Sequence, residues 1–157
     1  MEEIIIRKAK ISDSEVYFNW INDPIVRAQS YNSNLVTWED HLKWFGSKLL
    51  DPDYCFFIFQ NLKNENIGQV RIQKIDQLNA LISVSIAIEH RGKGFGHKIL
   101  QEACDDYFKT NSEIIINAFI KEENNTSKLI FEKAGFTHVK NMIYKQFNSY
   151  HYNLICK

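Results

Sequence analysis

Long apolar runs are missing from this 157-residue chain, and so is any imbalance of charge. No stretch approaches the ~20 apolar residues that a membrane span needs. Lysine and arginine total 19 and aspartate and glutamate total 19, which removes any general attraction to nucleic acid or an anionic membrane. Cysteine is scarce and odd in number: Cys55, Cys104 and Cys156 lie far apart, with no CxxC pair and no zinc spacing. A disulfide framework or a metal site is therefore not expected, and a reducing cytoplasmic setting is. Only two prolines, Pro24 and Pro52, interrupt the chain, and no low-complexity stretch reads as a linker. The acidic start, Met1-Glu2-Glu3, is unlike a secretory signal. The expectation is one domain over residues 1–157.

What is present alternates between strand and helix patterns. Ile4 to Lys8 is a β-branched run that reads as a first strand. Ser12 is placed to cap a helix from Asp13 to about Ile21, ending before Pro24. Residues 25–36 are polar and read as irregular. Thr37 opens a second helix, in which Trp38, Leu42, Phe45 and Leu49 share one stripe. Tyr54–Gln60, Ile67–Lys74 and Leu81–Ile86 read as three strands joined by hairpin turns, with Gly68 marking a bulge or a close neighbour. A helix to Lys109, a buried strand over Ile114–Phe119 and a helix capped by Asn124 or Asn125 and ended by Gly135 follow. Two last strands are expected to hinge at Asn148-Ser149. The order β-α-α-β-β-β-α-β-α-β-β predicts an α/β (α+β) fold with a mostly antiparallel central sheet flanked by about four helices.

Between the strand ending near Ile88 and the helix to Lys109 lies His90-Arg91-Gly92-Lys93-Gly94-Phe95-Gly96-His97. Glycines let a backbone turn its amides inward, and amides at a helix start make a cradle for an anion. The spacing excludes a P-loop and the dinucleotide fingerprint. Arg91 to Gly96 instead resembles, position for position, the Arg/Gln-x-x-Gly-x-Gly/Ala signature of the GNAT superfamily of N-acetyltransferases. Asn124-Asn125-Thr126-Ser127, running on to Phe131-Glu132-Lys133-Ala134-Gly135-Phe136, is similar to the second GNAT signature. The resemblance covers essentially the whole chain and implies the GNAT fold and acetyl-CoA as co-substrate. It implies pyrophosphate binding by Arg91, Gly92, Lys93, Gly94, Phe95, Gly96 and His97. Backbone pairing with pantetheine falls to Ile86, Ala87 and Ile88, and further contacts to Asn124 and Ser127. One departure is Phe131, where many relatives carry a proton-donating Tyr.

Direct transfer to a primary amine needs a base, and His41 and Glu89 are the catalytic candidates. The runs Trp20–Arg27 and Trp38–Phe45 resemble the branch that acetylates nucleotide-linked 4-amino sugars and the branch that acetylates ribosomal-protein N-termini. His41–Phe45 and Tyr31-Asn32-Ser33 favour the sugar branch. On that reading Trp44 stacks on a ring and Arg27 meets a diphosphate, making both substrate-binding. A protein N-terminus or another small amine is the alternative, and a coenzyme A-binding sensor without turnover is the third. Dimers are common in the family, so a homodimer is also an expectation.

Overall fold

The computed structural model describes residues 2–157. Its elements are β1 (Ile4–Lys8), α1 (Ser14–Ile21), α2 (Pro24–Gln29), α3 (Trp38–Leu49), β2 (Tyr54–Asn61), β3 (Asn66–Lys74), β4 (Asn79–Ile86), α4 (Phe95–Phe108), β5 (Ile115–Lys121), α5 (Asn125–Lys133), β6 (Thr137–Tyr144) and β7 (Phe147–Leu154). Single 3-10 turns over Ile11–Asp13 and Ile88–His90 precede α1 and follow β4. The seven strands form one sheet in the order β1-β2-β3-β4-β5-β7-β6, antiparallel except where β4 meets β5.

Alternation along the strands decides the two faces. Val70, Ile72, Ile82, Ile116, Ala118 and Ile120 face α4 and α5, whose Ile99, Leu100, Ala103 and Phe131 complete the larger core. On the opposite face Phe56 and Ile58 pack under Tyr17 of α1 and Phe45 of α3. Those two helices cover only the β1–β3 end of that face.

Three local expectations are corrected. Ser12 does not cap α1: Asp13 precedes the helix, and its carboxylate takes both Arg7 nitrogens at 2.8 Å and the Lys10 amide at 2.7 Å. Residues 25–36 are not irregular throughout, because Pro24 opens α2 and Asp23 caps it, accepting from the Ile25 and Val26 amides. The last hairpin turns at Lys145-Gln146, both in the left-handed region at φ 45° and 73°, rather than at Asn148-Ser149. Neither residue is a usual left-handed turn former, so the sequence carried no signal there.

Candidate active site

The parallel ladder between β4 and β5 is only three pairs long: Asn79 with Ile115, Ala80 with Ile116 and Leu81 with Asn117. Beyond Leu81, β4 continues to Ile86 and β5 to Lys121 without pairing to each other. The strands therefore diverge into a slot edged by unpaired backbone, which is a receptor for an extended, amide-bearing ligand. Asn117 pins the closed end, donating from Nδ2 to Asn79 Oδ1 at 3.1 Å and to the Ala80 carbonyl at 3.3 Å.

The glycine loop stands at the open end of β4. Gly92 and Gly94 have φ of 73° and 82°, a region that costs other residues strain, and Gly94 is the N-cap of α4. Among the described residues, the amides of Gly92 through His97 have no acceptor within the chain. Among the described residues other than Arg91, Gly92 and Lys93, no atom lies within 4 Å of where a Gly92 Cβ would sit, so the loop is open. Six unpaired donors at the positive end of a fourteen-residue helix suit a pyrophosphate. Lys93 is exposed beside them, while the Phe95 side chain turns into the core. His97 is half-buried in the first turn of α4.

Gly96 does something different. A Cβ there would lie 2.8 Å from Ile130 Cδ1, so this glycine lets α4 approach α5. Arg91 also departs from expectation. Its guanidinium folds back from the loop, Nε donating to the Ile86 carbonyl at 3.0 Å and Nη2 pairing with Asp23 at 3.1 Å. Arg91 thus ties the end of β4 to the cap of α2. Burial alone would raise the Asp23 carboxyl, but the Val26 amide and Arg91 outweigh it and hold it below the usual carboxylate range. Ala87 is buried, its amide donating to the Ile67 carbonyl, and Ile88 is exposed. Asn124 caps α5 by accepting from the Ser127 amide at 3.1 Å.

The catalytic and substrate expectations fare unevenly. His41 is 1 % exposed, its ring stacked on Phe45, and Nε2 donates to the Ser14 carbonyl at 2.8 Å. Burial lowers its pKa further, so it is a neutral core residue and not a solvent-facing base. Arg27 is consumed by its own loop, donating to the carbonyls of Asn32 and Asn34, which removes it as a diphosphate ligand. Trp44 packs edge-on against Tyr54 and Phe56 beneath α3, which removes it as an open stacking platform. Glu89 remains exposed on the turn after β4. Phe131 is 4 % exposed and meets Phe136 edge-on at 5.0 Å, as a core ring.

A family model for the acetyltransferase (GNAT) domain matches residues 3–137. The chain belongs to that family. N-acetyl transfer is the activity expected of a domain of that family. The crystal structure of a spermidine N-acetyltransferase from Vibrio cholerae in complex with CoA and spermine has a TM-score of 0.87 to this chain at 18% identity, covering 96% of this chain and 94% of that one. A dodecameric structure of the V. cholerae spermidine N-acetyltransferase has a TM-score of 0.80 at 18% identity, over 97% of this chain and 93% of that one. At such identity the likeness is one of fold. An uncharacterized protein of Methanocaldococcus jannaschii is 24% identical over 144 residues, 88% of this chain; the chain spans 29% of that protein's length. None of these findings supports the nucleotide-sugar branch.

Asp23, Asn117 and the polar row Gln69, Arg71, Ser83 and Ser85 belong to no motif that marks them in the sequence. The Gln69-x-Arg71-x-Gln73 alternation was legible, but nothing in it says that helices leave part of that face uncovered.

Proposed function

We propose that the chain, as one domain, moves an acetyl group from acetyl-CoA to the primary amine of a small molecule. The observation that carries this is the β4–β5 slot opening directly onto the unpaired amides of residues 92–97. Acetyl-CoA supplies an acyl group already activated on a thiol leaving group. The protein's part is alignment: the loop amides hold the diphosphate, the free edge of β4 from Ile82 to Ile86 holds the pantetheine, and the amine approaches over the opposite sheet face. Glu89, exposed on the turn after β4, is the proton acceptor, acting through water. A small amine is preferred over a nucleotide sugar because Arg27 and Trp44, the two residues proposed to grip the sugar nucleotide, are engaged elsewhere. The spermidine specificity carried in the name of the structural neighbour points the same way. A homodimer is proposed through β6, an edge strand on which Val139 and Ile143 are exposed.

A thiol-release assay with acetyl-CoA and a panel of polyamines, amino acids, aminoglycosides, amino sugars, nucleotide-linked 4-amino sugars and ribosomal N-terminal peptides tests the reading. Turnover with a small amine is expected. Turnover with peptides alone would overturn the acceptor class, and coenzyme A binding without turnover on any amine would favour the sensor.

A further inference from the structure

Resting on that reading, we infer that Arg71, with Gln69, Ser83 and Ser85, floors the acceptor site and takes an anionic group carried by the amine substrate, a carboxylate or a phosphate.

Placement comes first. Val70 and Ile72 face the larger core, so Gln69 and Arg71 face the other way. In register, Arg71 lies opposite Ser83 and Gln69 opposite Ser85. Both serines stand on the part of β4 beyond Leu81, where β5 has already turned away. Ser83 and Ser85 therefore border the slot on the sheet face opposite the larger core, and Gln69 and Arg71 stand one strand behind them, Arg71 beside Trp44 of α3.

The second observation is unmet bonding. Among the described residues Arg71 enters no ion pair, and its guanidinium enters no hydrogen bond. The Trp44 ring lies 5.3 Å from the guanidinium carbon, and Tyr54 and Tyr17 also favour its charged form. Arg71 is half-buried, so the Trp44 ring offsets only part of the guanidinium's desolvation, while its nitrogens keep contact with solvent and stay open to a ligand. Burial pulls the Arg71 pKa below its ordinary value, in keeping with that desolvation. Gln69 is 8 % exposed; its Nε2 donates to Ser85 Oγ at 3.0 Å, but its Oε1 is buried with no donor. One free cation and one free acceptor two residues apart match an anion and an N–H donor on one ligand.

The charge around them agrees. Across the slot Lys121 is 5 % exposed, its Nζ donating to the Ala28 carbonyl at 3.1 Å and standing 3.9 Å from the centre of the Phe147 ring. It too has no carboxylate partner among the described residues. Asp23 is occupied by Arg91. Glu122 and Glu123 are exposed at the exit of β5, lining an open cavity with Gln146, Phe147 and Asn148. Two cations without a carboxylate partner among the described residues favour an anionic group on this face.

Matched amines give the test, because they differ only in the anionic group. Lysine against cadaverine isolates a carboxylate, and glucosamine 6-phosphate against glucosamine isolates a phosphate. We expect kcat/KM to favour one charged member by about tenfold or more. Arg71→Met should cost that substrate about 10- to 100-fold, mainly in KM, and erase the preference while leaving coenzyme A affinity unchanged. Arg71→Lys should recover part of the loss. Preference for cadaverine or spermidine, or an Arg71→Met enzyme that keeps the charged substrate, overturns the inference while leaving acetyl transfer intact. If Arg71→Met fails to fold, the wild-type pairs decide alone. If no amine turns over, transfer itself has failed. Calorimetry of lysine and glucosamine 6-phosphate into the coenzyme A-loaded wild type then decides the anion site, absence of binding refuting it.

Discussion

Adding one methyl group at Gly96 separates two roles that the glycine motif merges. An Ala Cβ would lie 2.8, 3.0 and 3.1 Å from Cδ1, Cγ2 and Cγ1 of Ile130. The methyl at Cδ1 can swing aside, but Cγ1 and Cγ2 are fixed to the Ile130 Cβ, so α5 itself has to yield. Overpacking of this kind costs about 1–3 kcal/mol. Against it stands the helix-propensity gain of Gly→Ala, at most about 1 kcal/mol. The net expected for Gly96→Ala is a loss of about 1–2 kcal/mol, or roughly 2–8 °C in Tm for a domain near this size. In an Ile130→Ala background the contact atoms are gone, and the same substitution should become neutral or stabilising, with a coupling of about 1–3 kcal/mol. Urea unfolding followed by far-UV circular dichroism on the four proteins measures it. Equal effects in both backgrounds would refute the packing argument and return Gly96 to the phosphate loop alone.

Gly94→Val places a β-branched residue at φ 82° and crowds the loop amides; coenzyme A binding by calorimetry should vanish while the far-UV spectrum is kept, and unchanged affinity would remove the loop from the site. Asp13 is 6 % exposed, and although burial raises its carboxyl, the Arg7 and Lys10 hydrogen bonds outweigh this and hold its pKa below the usual range. A depressed carboxylate contributes stability that is present above the unfolded pKa, about 3.9, and lost as pH falls through the folded value. The urea midpoint should therefore drop below about pH 4, and Asp13→Asn should lower the neutral-pH midpoint and flatten that limb. Asp23→Ala removes both the α2 cap and the Arg91 partner, costing about 1 kcal/mol or more, whereas Asp23→Asn keeps the cap and should cost less; equal losses would show that the ion pair, not the cap, carries the effect.

Much of the fold was legible because its signals are local. The hairpins β2–β3 and β3–β4 announce themselves as apolar runs broken by Asn- and Asp-rich turns, and Gly135 at φ 96° ends α5 where a helix stop was expected. The start of α2 is ambiguous in the sequence: Asp23-Pro24 is a cap followed by a first-turn proline, but the same proline also reads as the end of α1. His41 lies four residues before Phe45 and shares its inward stripe, so helical spacing places it in the core rather than in a cleft. Arg27 and Trp44 show the limit of residue-type reasoning: a guanidinium and an indole suit a nucleotide sugar, but hydrogen bonds to Asn32 and Asn34 and the packing of Tyr54 and Phe56 claim them first. Arg71 carries no local signal, because its surroundings combine Ser83 of β4 with Trp44 of α3, which is a non-local property.

At the level of backbone pairing, strands β1–β4 and strands β5, β7 and β6 are two plates joined by a seam of three residue pairs. A molecule bonded along the open part of that seam stitches the plates together and lengthens the joint. Its concentration then becomes a variable of the fold's own cohesion, raising stability by mass action. Amide exchange in β5, β6 and β7 should slow together when the seam is filled, although most of those amides never touch the ligand.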